Sequence, residues 1–213
     1  VTTVVLTGTA TEVGKTWWGR ATIDILCAHG VNVAARKPAQ SYSPDELGET
    51  DAEILGRASG EPAEIVCPLH RWYPVPMAPP MAADALGLPP FTIAELVADI
   101  APAPSAKLTF VEGAGGPRSP LAVDGDNVTL VRAVDASVVV LVAPAGLGTI
   151  NAVRLSADAL RGGRETGARL VVALNRYDAE NDLHRRNHGW LMGDDLHLHL
   201  VLSPAELAET LRH

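Results

Sequence analysis

The segment Gly8-Thr9-Ala10-Thr11-Glu12-Val13-Gly14-Lys15-Thr16 constrains the fold more than any other stretch of the chain. It follows an apolar run, Thr3-Val4-Val5-Leu6-Thr7, which reads as a strand. It opens a run from Trp17 to His29 with apolar residues at helical spacing, which Gly30 closes. A glycine-containing turn from strand to helix that ends in Gly-Lys-Thr is a phosphate cradle. Backbone N–H groups converge on an anion there, and the helix N-terminus favours negative charge. Lys15 brings a point charge to the outer phosphates, and the Thr16 hydroxyl is a suitable ligand for Mg²⁺. The loop has five residues between Gly8 and Gly14, one more than the common spacing.

The rest of the chain continues the alternation. Strands are expected at Val31–Arg36, Lys107–Val111, Ser137–Val142, Arg169–Leu174 and His197–Leu202. Helices are expected at Asp51–Ala58, Ile93–Ile100, Ile150–Arg161, Leu183–Leu191 and Pro204–Leu211. Strands separated by helices imply βαβ units. The expected fold is therefore α/β: three layers, doubly wound, a mostly parallel sheet flanked by helices, P-loop NTPase-like, in a single domain over 1–213. Ser137–Val142 is apolar at almost every position, as suits a strand covered on both faces. The proline-rich stretch Pro68–Pro90 reads as a long structured loop with a short helix at Met81–Leu86.

Composition narrows the partners. The chain of 213 residues carries a formal net charge of −8 and no basic run, which disfavours nucleic acid. Arg185 and Arg186 fit a solvated helix face. No apolar segment is long enough for a membrane span, and no charged leader precedes the first strand. Cys27 and Cys67 have no CxxC spacing, so a reducing, cytoplasmic setting is expected.

A Mg²⁺–nucleotide site needs hard oxygen ligands besides Thr16. Glu112 ends an apolar strand and precedes Gly113-Ala114-Gly115-Gly116, where ligands of doubly wound sheets bind. Lys37 also ends a strand, before Pro38. It would point to the same sheet edge as the phosphate loop and disperse charge on a transferring phosphoryl group, or else be a solvated strand end. Asp51 opens a helix, where it would be a cap or a metal ligand.

These residues, in this order, resemble the dethiobiotin synthetase family, ATP-dependent ring-closing enzymes of biotin synthesis. The likeness rests on Gly8–Thr16, Lys37-Pro38 with Ser41, Thr50-Asp51-Ala52, Pro76-Met77-Ala78-Pro79, Val111–Gly116, Leu147-Gly148-Thr149-Ile150-Asn151, and Asn175. The longer loop is the family's form. The resemblance implies that Glu12, Val13, Gly14, Lys15 and Thr16 hold ATP phosphates, with Gly113, Ala114 and Gly115 close by. It implies Mg²⁺ on Thr16, Asp51 and Glu112. Lys37 would be the catalytic lysine, working with Lys15. Thr11 and Ser41 would touch the diamine substrate. Asn175, with Arg176, would read the adenine edge, aided by the stretch 202–206. Gly148, Thr149, Ile150 and Asn151 would receive the substrate carboxylate across a homodimer interface. The implied substrates are 7,8-diaminononanoate, CO₂ and ATP.

Departures from the family pattern cluster around the substrate: Ala10, Tyr42, Ala152 and Pro117-Arg118. Trp17-Trp18 is unusual, and the region 177–213 is short and rich in histidine. Two other readings stand beside this one. A paralogous amidoligase on another substrate would share the fold. A nucleotide switch of the ParA or MinD kind would need an early lysine in the loop and a basic amphipathic tail, and the sequence has neither.

Overall fold

The computed structural model describes residues 1–45, 48–100, 103–162, 167–193 and 197–212. Strand β1 (Thr2–Gly8) leads through the phosphate loop into helix α1 (Lys15–Ala28) and then β2 (Val33–Arg36). A short strand β3 (Gln40–Ser41) precedes α2 (Asp51–Ser59) and α3 (Ala63–Val66). The proline-rich stretch holds a 3₁₀ turn (Leu69–Arg71), β4 (Trp72–Tyr73) and α4 (Pro79–Ala85). Then come α5 (Ile93–Asp99), β5 (Leu108–Glu112), the β6 (Pro120–Ala122) and β7 (Gly125–Asp126) ribbon, and α6 (Asn127–Ala133). The chain ends with β8 (Val138–Pro144), α7 (Thr149–Arg161), β9 (Arg169–Asn175), α8 (Asp182–Met192), β10 (His199–Val201) and α9 (Pro204–Arg212).

Among the described residues, the main sheet has six strands in the order β10-β9-β8-β1-β5-β2, all neighbours parallel. This is the doubly wound arrangement expected from the alternation, and it puts every strand's carboxyl end on one edge. Alternate residues of β8 feed two separate cores. Val138, Val140 and Val142 pack with Trp18 and Ile23 of α1, Leu55 of α2 and Leu207 of α9. Val139, Leu141 and Ala143 pack with Val153 of α7, Leu191 of α8 and Val131 of α6. The period-2 side-chain alternation of a strand therefore fills both layers, and the continuous apolar run is its signature.

Several expected boundaries move. Strand β2 begins at Val33 rather than at 31, because Val31 N–H closes the end of α1 onto the Leu26 carbonyl. Strand β10 is only three residues, and His197 turns into it at φ 47°. The proline-rich stretch is more ordered than a loop with one helix, since β4 pairs with β3 in parallel. The helix within it begins earlier than expected, at Pro79, whose missing N–H costs nothing in a first turn. Helices α3 and α6 are absent from the sequence reading. Both are short, and α6 starts from an Asp126–Thr129 capping box rather than from a marked apolar period.

Candidate functional site

The phosphate loop is shaped by close approach. Gly8 N–H donates to the Gly115 carbonyl, and Thr9 N–H donates to the Val142 carbonyl, so the loop is pinned to the ends of both neighbouring strands. A Cβ on Gly8 would stand 2.5 Å from Val13 Cγ2. Glu12 (φ 58°) and Gly14 (φ 96°) both take left-handed backbone, which turns successive N–H groups inward as a nest for an anion. Lys15 Nζ lies 3.4 Å from the Ala10 carbonyl across the loop.

Four polar side chains from four elements meet beside it. Thr16, in the first turn of α1, places its Oγ1 2.7 Å from Asp51 Oδ1 and 2.9 Å from Glu112 Oε1, and its one proton serves either carboxylate. Lys37, just after β2, places Nζ 2.6 Å from Asp51 Oδ2 and 2.7 Å from Glu112 Oε1. Lys37 is 3% exposed and Glu112 2%. Asp51 is free to turn inward because Thr50, not Asp51, caps α2, through a capping box with Glu53. The alternative of Asp51 as the cap is thereby removed.

The electrostatics follow from this packing. Burial opposes the charge of Lys37, but the Asp51 and Glu112 carboxylates outweigh it and hold the amine above the usual lysine range. Burial and the neighbouring Lys37 lower Lys15. Burial would raise Asp51, yet Lys37 and the Thr16 hydroxyl bring it below the usual carboxylate range. Glu112 moves the other way: burial raises it, and Asp51 adds to that rise against the pull of Lys37. Its second oxygen, Oε2, is buried without a hydrogen-bond partner among the described residues.

A cleft of about 630 Å³ opens from these groups. Thr11, Glu12, Gly14, Lys15 and Thr16 form one wall, and Lys37, Asp51 and Glu112 lie at its base. Ala114, Gly115 and Ser41 also line it, whereas Val13 and Gly113 are packed behind it. Ser41 Oγ donates to the Met77 carbonyl at 2.5 Å, which joins β3 to the chain ahead of α4. Tyr42 lines the cleft with its ring edge-on to Trp72 at 6.4 Å, so it is held in the wall.

The remaining expected residues lie elsewhere. Asn175 and Arg176 stand at the end of β9, on the far side of the phosphate loop from Glu112. Gly148, Thr149, Ile150 and Asn151 form the start of α7 and do not line the cleft. Gly148 is left-handed at φ 88°, and Leu147 ahead of it is 90% exposed.

Two further residues shape the site without having been legible. Gln40 accepts from Ala52 N–H at 3.0 Å and so fixes the start of α2 next to Asp51. Asn127 donates from Nδ2 to the Ala114 and Gly116 carbonyls, both at 2.7 Å, and holds the glycine-rich turn. A Cβ on Gly113 would stand 1.9 Å from Asn127 Oδ1, which accounts for that glycine. The Asp126-x-x-Thr129 cap was the one sequence signal that could have placed Asn127 on a helix.

The chain is similar to several known proteins. Residues 2–193 match the family described as AAA domain. The ATP-dependent dethiobiotin synthetase of Streptomyces avermitilis is 44% identical over 178 residues, covering 79% of this chain and 69% of the relative. That of Rhodococcus erythropolis is 37% identical over 182 residues, covering 85% and 78%. That of Anaeromyxobacter dehalogenans is 39% identical over 182 residues, covering 83% and 78%. Among solved structures, the signal recognition particle receptor FtsY from Elizabethkingia anophelis aligns over the whole chain at a TM-score of 0.50 and 14% identity. This chain spans 65% of that one, and the likeness bears on the fold alone. With a parallel P-loop sheet, a family model matched over most of its length and relatives of this identity, the chain belongs to the ATP-dependent dethiobiotin synthetase family.

Proposed function

We propose that the chain closes the cyclic urea of dethiobiotin from 7,8-diaminononanoate, CO₂ and ATP, releasing ADP and phosphate. The observation that carries the proposal is the Lys37 ammonium held by Asp51 and Glu112 at the edge of the phosphate loop, in a cleft that continues past the loop to Ser41. A phosphoryl acceptor bound near Ser41 and Thr11 would meet the end of a triphosphate beside that ammonium.

The donor set fits Mg²⁺. Thr16, Asp51 and Glu112 are hard oxygen donors on one spot, and Glu112 Oε2 is a buried oxygen in need of a partner. When bound, the ion supplies charge neutralisation on the phosphate oxygens. The chain's own groups do the rest. The loop N–H groups of residues 12–16 and Lys15 hold the triphosphate in place. One substrate amine takes up CO₂ as a carbamate, forming the C–N bond and losing a proton to solvent. A carbamate oxygen attacks the terminal phosphorus, and ADP leaves. Lys37 stabilises the charge that spreads over the transferred group. The second amine then attacks the carbonyl carbon of the mixed anhydride, phosphate departs, and the amine proton is lost to solvent. No protein nucleophile is required, so positioning carries the catalysis.

On the same reading, Asn175 and Arg176 face the nucleobase. The start of α7, Gly148–Asn151, receives the substrate carboxylate of a second copy in a homodimer, where the N–H groups of Ile150 and Asn151 suit an anion. The test is product formation. ADP release should require diaminononanoate and bicarbonate together, with dethiobiotin formed in equal amount. Lys37→Ala should lower ring closure by roughly a hundredfold or more while nucleotide binding persists. Release of ADP independent of the diamine, or full activity in Lys37→Ala, would overturn the assignment.

A further inference from the structure

The adjacent tryptophans after Thr16 play no part in the chemistry above. Trp17 is half-exposed and lines the cleft, and its ring meets that of Trp18 edge-on at 5.9 Å. Trp18 is 1% exposed, and its indole Nε1–H donates to Asn175 Oδ1 at 3.1 Å. Asn175 Nδ2 in turn donates to the Val13 carbonyl of the phosphate loop at 2.9 Å. An indole N–H only donates and a carbonyl only accepts, so these two partners leave one orientation for the amide. Gly14 makes room for it, since a Cβ there would stand 2.3 Å from Asn175 Nδ2. The amide keeps one oxygen lone pair and one N–H unused.

The position of this amide defines what it can meet. Glu112 and Lys37 sit on the β5 and β2 side of β1, while Asn175 ends β9, two strands away on the other side. On the proposal that Asn175 faces the base, a nucleotide whose terminal phosphate lies by Lys37 crosses β1 toward β9. An asparagine amide that offers an acceptor beside a donor complements the 6-amino group and N7 of adenine. It sets oxygen against oxygen when the purine carries a 6-oxo group.

We infer that Trp18 is a positioning residue for base selection: its N–H holds the Asn175 amide so that Oδ1 faces an exocyclic amine, and the chain thereby distinguishes 6-amino from 6-oxo purine triphosphates. The inference rests on the proposal that Asn175 faces the base, and the test separates the two. ATP and inosine triphosphate differ at the 6-position, and the ratio of their kcat/KM values reads the discrimination directly. In Trp18→Phe, which keeps a ring but loses the donor, the ATP-to-ITP ratio should fall roughly tenfold, through KM rather than kcat. Benzothienylalanine placed at position 18, with sulfur in place of N–H, should give the same fall and covers the case in which the phenylalanine variant does not fold. Asn175→Ala should erase the preference. A purely structural Trp18 would lower thermal stability and turnover with both nucleotides and leave the ratio unchanged. If Asn175→Ala erases the ratio while both position-18 variants keep it, the role of Trp18 is overturned and the base contact stands. If Asn175→Ala keeps the ratio, the base contact fails and this inference with it.

Discussion

At the scale of single residues, burial decides which groups carry charge. Lys37 lies at 3% exposure yet keeps its proton because two carboxylates stand within 2.7 Å of its Nζ. A buried charge is tolerable only when paired, and removing one partner of such a pair is far more damaging than the pair is stabilising. Cys67 shows the opposite case. Burial pushes its thiol up to about 12, against the smaller opposing pull of Lys37. At pH 8 its thiolate fraction is then about one in ten thousand, and no solvent reaches it. A thiol reagent should label Cys67 in the native protein only as fast as the protein opens, and rapidly after denaturation. Labelling of Cys67 in the folded chain at the rate of a free cysteine, read by peptide mass apart from the partly exposed Cys27, would contradict the packing around α3.

At the scale of elements, helix α2 illustrates how local chemistry places a site group. Thr50 Oγ1 accepts from Glu53 N–H, and Glu53 Oε2 accepts from Thr50 N–H at 2.7 Å. The cap frees Asp51, the next residue, to meet Thr16 and Lys37. Thr50→Ala should lower stability by about 1 kcal/mol in denaturant melts. It should also raise the KM for ATP, because the first turn that aims Asp51 loosens, while Thr50→Ser should restore both. An unchanged KM would show that Gln40, which binds Ala52 N–H, fixes that turn alone. What was legible in the sequence follows the same division. The phosphate loop, Glu112 ahead of its glycines and Lys37 before Pro38 could be read, because each combines a residue type with a strand end. Gln40 and Asn127 could not. Their partners are backbone atoms 11 to 13 residues away, and a hydrogen bond of that span leaves no periodic trace. The Asn175–Trp18 link spans 157 positions and was equally silent. Helix α6 escaped because Val128, Thr129 and Val131 are β-branched and give the stretch no helical mark.

At the scale of the whole molecule, the proposed nucleotide site joins parts of the chain that are distant in sequence. On the proposed reading, the loop after β1, the end of β2, the first turn of α2, the end of β5 and the end of β9 would all contribute to it. These pieces are far apart in an unfolded chain, so a ligand that needs them all binds the folded state alone. Linkage then fixes the size of the effect. At a ligand concentration of 100 Kd, stability rises by about 2.7 kcal/mol. For a protein of this length that corresponds to a rise in melting temperature of roughly 5–10 °C. The rise should appear with a non-hydrolysable ATP analogue plus Mg²⁺ and shrink when Mg²⁺ is chelated, because Asp51 and Glu112 then face the triphosphate without a divalent cation between them. Inorganic phosphate at the same concentration should give a far smaller shift, since it reaches the loop but not β9. A melting temperature that ignores the magnesium nucleotide on folded protein would leave the cradle without an occupant, and the reaction proposed for this cleft would fall with it.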